Sequence, residues 1–203
     1  MGIIMDYQLT LEQINTYADK AGQLYQQLAK KIENNHETYL DPTLQDEKDT
    51  NQYAGQIATI FHDAQDYLNH QCGEKEREIN ARYHGDVTAD QLAEINQLKK
   101  YNLSEDELKG YLAKYQNNLA LLKAFESIVK GKGWKINGLT YDNEMDMLHY
   151  FEKQMQTIVD GIAHGSRQTA VPLESKIAGR LLDTRIKEWS TKVDAPYTIE
   201  RAN

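Results

Sequence analysis

Apolar residues recur every three or four positions along most of this chain, the spacing that lines one face of a helix. From Ile14 the series runs through Tyr17, Ala18, Ala21, Leu24, Tyr25, Leu28 and Ile32. Thr10-Leu11-Glu12-Gln13 precedes it as a capping box, in which hydroxyl and amide satisfy backbone N–H groups that lack an intrahelical partner. A first helix is therefore expected from Thr10 to about Tyr39, with residues 1–9 as a short apolar or extended lead-in. Asp41-Pro42 joins a good N-cap to a proline at the first helical position, where its missing N–H costs nothing. The helical region it opens reaches toward His84, with Tyr53, Ile57, Ile60, Phe61, Ala64, Tyr67, Leu68 and Cys72 on one side. Leu44 lies off that stripe, which predicts a break or frayed turn near Asp49–Asn51. Whether 42–84 is one helix or two stays open at this level.

Thr88-Ala89-Asp90-Gln91 and Ser104-Glu105-Asp106-Glu107 are two more capping boxes. The first opens a short helix with Leu92, Ile95 and Leu98. The second opens a longer one running from Leu108 through Leu112, Tyr115, Leu119, Leu122 and Phe125 to Val129, stopped by Gly131 and Gly133. Residues Trp134 to Tyr141 alternate around Asn137-Gly138, the pair best suited to a type I′ turn, and predict a small β-hairpin. Helices resume over about 142–163 and 172–190, and a polar tail follows Val193. The predicted class is all-α: an elongated helical bundle or long αα-hairpin with one small β-hairpin near 134–141. Three segments are expected, an acidic helical hairpin over 1–86, a helical domain over 87–191 that carries the β-hairpin, and a polar tail over 192–203.

Composition sharpens this picture. Leu, Ile, Val and Phe make up about 21% of the 203 residues, close to the roughly 20% below which highly charged chains tend to be disordered. Thirteen tyrosines add burial area while keeping their hydroxyls wet. The folded seams are expected to be narrow. A single cysteine excludes an internal disulfide and any multi-cysteine metal site. No apolar run nears 18 residues and no basic segment leads into a signal-peptide core, so a cytoplasmic chain without a membrane span is expected.

The net charge of −8 sits in the first hundred residues, and between 33 and 74 nine acids face one base, Lys48. This half disfavours direct nucleic-acid binding. Its exposed acids, Glu37, Asp41, Asp46, Glu47, Asp49, Asp63 and Asp66, are the candidate partner-binding residues. A mildly basic stretch near the C-terminus, with Arg167, Lys176, Arg180, Arg185 and Lys187 against Glu174 and Asp183, would complement them in head-to-tail self-association. The competing reading is a solvated helix face that keeps a sparse core in solution.

Candidate metal ligands are few. His62, Asp66 and His70 share one helix face, but at about 100° per residue that face lies opposite the apolar stripe. Glu33 with His36, and Asp146 with His149, place an acid and a histidine at i, i+3, as half-elements of a di-metal carboxylate bundle. No lone glutamate on an apolar stripe completes such a bundle, so no cofactor is expected. Convergence of His149, Asp160 and His164 would point to an enzyme. Cys72 borders the apolar stripe with acids and amides nearby, and reads as a buried, inert thiol. Gly161 to Ser166 reads as a helix stop.

With Leu9-Thr10-Leu11-Glu12-Gln13-Ile14 opening a long helix rich in Tyr, Gln and Lys, the chain resembles small helical structural and assembly proteins of phages and prophages of Gram-positive bacteria. The resemblance implies a role in building a virion, located in the host cytoplasm or the particle, and carries no functional residue with it. Three functions follow as expectations. The first is a non-enzymatic structural or interaction protein that contacts protein partners and forms a homo-oligomer or part of a larger assembly. The second is an acidic inhibitor that mimics nucleic acid and blocks a DNA-binding protein. The third is a metal-binding helical-bundle enzyme.

Overall fold

A computed structural model of the chain describes residues 6–138, 140–165, 172–193 and 197–202. Seven helices and two short strands are formed by these residues: α1 (Tyr7–Thr38), α2 (Thr43–Tyr83), α3 (Ala89–Leu98), α4 (Glu105–Tyr115), α5 (Leu119–Gly131), β1 (Trp134–Asn137), α6 (Tyr141–Ala163), α7 (Leu173–Val193) and β2 (Thr198–Arg201). The all-α class with one small antiparallel sheet is as the sequence predicts. Among the described residues no helix is long and apolar enough to cross a membrane.

Local signals set most helix ends. Thr88 and Ser104 accept from the Gln91 and Glu107 backbone N–H groups, and both capping boxes are complete. Three expectations need correction. Helix α1 starts a turn before Thr10, because Asp6 caps it by accepting from the Gln8 and Leu9 amides at 2.8 and 3.1 Å. Thr10 is thereby buried inside the helix. Next, α2 is continuous over 41 residues, with no break at Asp49–Asn51. Finally, the helix expected from Leu108 to Val129 is split. Asn118 leaves helical geometry and caps α5 through the Leu121 amide at 3.1 Å, an instance of an asparagine side chain outcompeting the helix it would otherwise continue.

The strand expected at 134 forms, but not as a local hairpin. It pairs with β2 more than sixty residues later, in the register Trp134–Arg201, Lys135–Glu200, Ile136–Ile199 and Asn137–Thr198. Two features explain the choice. Thr140 and Asn143 cap α6, with Thr140 Oγ1 donating to Asn143 Oδ1 at 2.6 Å, so the chain enters a helix where a returning strand was expected. Across the β1–β2 ladder, Ile136 and Ile199 are both buried and Lys135 meets Glu200 at 2.7 Å. Gly138 has φ +133°, and a Cβ there would fall 2.5 Å from the Tyr197 ring, so a side chain is excluded both by conformation and by space.

The residues form two compact units, one of Met1–Gly73 with His149–Ile186 and the other of Glu74–Leu148 with Lys187–Asn203. Neither is a continuous stretch, so they do not coincide with the contiguous segments 1–86 and 87–191. Helices α2, α6 and α7 each contribute to both.

The first unit is helical throughout. Asn35 meets Asp49, and the Tyr17 ring packs tilted at 6.3 Å from Tyr67, an index sum near 84 in both cases, so α1 and α2 run antiparallel. Gln65 and Gln156 exchange amide hydrogen bonds at 3.0 and 2.7 Å, joining α2 to α6. Tyr7 packs on Phe151, and the Tyr25 hydroxyl donates to the Ile162 carbonyl at 3.1 Å, so α6 is parallel to α1. Ser175 Oγ donates to the Thr157 carbonyl, and Ile158 lies beside Gly179, so α7 runs back against α6. The core is Ile14, Leu68, Phe151, Met155 and Leu182, with their neighbours. Helix α6 ends at Ala163, within the segment 161–166 expected to stop it; Gly161 is buried in its last turn, and a Cβ there would lie 1.9 Å from Ser175 Oγ. It is a close-approach residue.

The second unit packs α3, α4, α5 and the sheet around Phe125, with Leu108, Leu112, Leu122, Ile136 and Ile199. The same unit holds a network of buried and half-buried polar groups. The Tyr83 hydroxyl donates to Glu144 Oε1 at 2.9 Å, and Arg82 pairs with the same carboxylate. Tyr141 donates to Asn80 at 2.9 Å, and Lys123 sits 3.4 Å above the Tyr141 ring. Burial pushes the Tyr83 hydroxyl well up, with Glu144 and the hydrogen-bonded Tyr197 adding to the effect. Burial likewise raises the Glu126 carboxyl, although Thr140 and Lys130 favour its ionised form.

Candidate functional site: the tip of the first helical hairpin

The connection between α1 and α2 carries three large apolar side chains in solvent. Tyr39 is half exposed, Leu44 is 81% exposed and Leu40 is fully exposed. Single exposed leucines are ordinary, whereas three such groups within six residues form a patch. Their exposure follows from what fills the interior here. Asn35, 2% exposed, donates its amide hydrogens to Asp46 Oδ1 at 3.0 Å and Asp49 Oδ2 at 2.9 Å. Gln45 also donates to Asp49, and His36 Nε2 lies 2.8 Å from Asp46 Oδ2. This polar clasp takes the place of a hydrophobic layer, so the leucines have no core to enter.

The clasp also makes the tip a defined shape. Tyr39 is extended, its N–H donating to the Asn35 carbonyl. Pro42 fixes φ, and Asp41 accepts from the Thr43 amide and hydroxyl at 3.2 and 2.7 Å. Those hydrogen bonds hold the Asp41 carboxyl below the ordinary aspartate range. The Asp49 carboxyl is lowered too, chiefly by the Asn35 amide, against the opposing effect of burial and with smaller help from Gln45, Lys31 and Lys48.

The sign of the Asp49 effect yields a test. A carboxylate with a depressed folded-state pKa contributes stability that is present above the unfolded value, near 4, and is lost as pH falls through the folded value. Asn35→Ala is therefore expected to destabilise the protein at pH 7. The gap between the variant and the parent should narrow as pH drops below about 4, as read by urea unfolding across pH.

The seven acids named as partner-binding candidates divide by position. Glu37, Asp41 and Glu47 are exposed at the tip, and Asp46 is half-buried in the clasp. Asp49 is only 4% exposed and turned inward, so it presents nothing to a partner. Asp63 and Asp66 are exposed further along α2. Tyr39, Leu40 and Leu44 were not among the candidates. The one trace of them in the sequence is that Leu44 falls off the apolar stripe.

The metal candidates do not converge. His62, Asp66 and His70 lie on the solvent face of α2, and Glu33, Asp146 and His149 are exposed. His36 is spent on Asp46. Among the described residues no group of three or more His, Cys, Asp or Glu side chains is placed to hold a metal ion. His164 Nδ1 approaches the Asp160 carbonyl at 2.7 Å, but His149 lies eleven residues away on the same helix, about 16 Å along its axis.

Cys72 is buried, and burial with the Glu152 carboxylate pushes its thiol up to about 12. At pH 8 the native protein is expected to resist iodoacetamide, with alkylation appearing only in denaturant. Mass spectrometry of the intact chain reads this directly.

No family model matches the chain, and no curated protein or solved structure matches it.

Proposed function

We propose that this chain is a non-enzymatic helical interaction protein that works through protein–protein contacts made at the α1–α2 tip. One observation carries the reading: apolar groups are held out in solvent beside a buried polar clasp, in a loop rimmed by Glu37, Asp41 and Glu47. Burying a leucine is worth about 1.5–3 kcal/mol, so a partner that covers Leu40 and Leu44 gains most of its affinity from two side chains. The resemblance to small helical phage proteins makes a virion or capsid-assembly role the setting proposed for the chain. The nucleic-acid-mimic reading is less well supported, since Asp49 and Asp46 are engaged in the clasp rather than arrayed on a surface.

A photo-crosslinking amino acid at position 40 tests the proposal in the producing cells, with exposed Asn69 on α2 as the control position. Protein adducts from 40 and not from 69 are expected, and equal labelling at both positions would refute a dedicated tip contact. Leu40→Asp itself should change unfolding stability by less than about 0.5 kcal/mol, because a fully exposed side chain makes no packing contribution. Chemical denaturation checks that figure.

A further inference from the structure

Helix α7 carries a second apolar face. Ala178, Leu182 and Ile186 turn into the core of the first unit, while Leu173, Ile177 and Leu181, at i, i+4 and i+8, line the opposite side and are each about half exposed or more. Lys176 and Arg180 flank this outer stripe on one side, with exposed Glu174 on the other, and neither cation has an ion-pair partner among the described residues. Lys176 and Arg180 also border a groove of about 770 Å³ between α1 and α7, lined as well by Leu11, Ile158 and the acids Glu12, Asp19 and Asp183.

We propose that the α1–α2 tip of one chain docks on this α7 stripe in a second copy, so that copies associate head to tail. The inference rests on the tip being a contact surface and names what it contacts. The two patches match in kind: Leu40 and Leu44 against Leu173, Ile177 and Leu181, with Glu37 and Glu47 against Lys176 and Arg180. Charge of opposite sign around apolar centres steers the encounter and fixes its orientation.

The tip is out of reach of its own α7. Tyr25 already meets the C-terminal end of α6, and Thr38 lies thirteen residues further along α1, about 20 Å. Helix α7 packs against α6 from Ser175 onward and runs antiparallel to it, away from the tip. Only another molecule satisfies both patches. Because the surfaces differ, the contact is heterologous and propagates into an open chain or a ring. With about three large side chains on each face the contact is small, and a Kd on the order of 10 µM is expected.

The test is sedimentation equilibrium of the full chain over about 1 to 500 µM. The parent is expected to rise in mass past a dimer with concentration, and to do so less at high salt. Leu40→Asp and Ile177→Asp should each weaken association at least about tenfold. Leu173→Asp serves as a second α7 variant, and circular dichroism confirms that all retain their helix content. Mixing Leu40→Asp, whose α7 is intact, with Ile177→Asp, whose tip is intact, should yield a one-to-one dimer that grows no further. A parent that stays monomeric, or a mixture that does, overturns head-to-tail association. So does a dimer that survives both substitutions. If the parent is monomeric while position 40 still crosslinks to another protein, this inference falls and the tip remains a contact surface. If neither occurs, both fall.

Discussion

Deleting residues 197–203 is expected to destabilise the second unit by about 4–6 kcal/mol, a large fraction of the stability of a small domain. Three losses add up. Ile199 is buried against the Phe125 cluster, and a side chain of that size is worth about 1.5–3 kcal/mol. Tyr197 packs on the same cluster, meets Tyr83 and covers Gly138. The ladder to β1 goes as well, leaving Ile136 beside solvent and β1 without its partner strand. Trp134 lies in β1 with Arg201 5.3 Å from its ring, so its fluorescence reports the change in a urea titration. Were Trp134–Asn137 paired with the residues just after Gly138, the deletion would leave the transition where it was. Ile199→Ala should reproduce about half of the effect.

The second large effect is expected at Glu144. Its carboxylate is 7% exposed and accepts from the Tyr83 hydroxyl while pairing with Arg82. Glu144→Ala leaves the partly exposed Arg82 with only its 3.7 Å pair to Glu78 and removes an acceptor from a hydroxyl in an almost fully buried ring, which should cost about 2–3 kcal/mol. Glu144→Gln keeps an acceptor and should cost less. Tyr83→Phe alone should cost about 1 kcal/mol, since Arg82 still holds the carboxylate. The double variant Glu144→Ala with Tyr83→Phe should be less destabilised than the two singles together, with a coupling of about 1–2 kcal/mol. Additive losses in chemical denaturation would show that the two groups do not act as one network.

These two experiments bear on the part of the molecule that local sequence reading resolved least. Capping boxes at Thr88 and Ser104 were legible because the partners lie three residues apart and satisfy one another without outside help. The extent of α2 was not. Its apolar stripe thins near Asp49, and there the continuous helix is met by a hydrogen bond from Asn35 across the hairpin, which local spacing does not reveal. The split at Asn118 was missed for the opposite reason. Apolar spacing continues through it, and only the cap shows that the chain turns.

The candidate site divides in the same way. Acids between 33 and 74 were visible as charge, yet Asp49 faces inward and the proposed contact groups are leucines that composition does not distinguish from core. On α7 the sequence holds two apolar faces roughly opposite each other, one through Ala178 and Leu182, the other through Leu173, Ile177 and Leu181. Periodicity shows that both exist and is silent on which is buried. By itself the sequence determined helix content, most caps, the strand at Trp134 and the negative charge of the first half, because those depend on interactions within about four residues. Tertiary structure decided the partner of that strand, the face of α7 left in solvent and the exposure of Leu40 and Leu44. Each of these depends on which distant groups fill the space alongside, and a chain carries no local record of that.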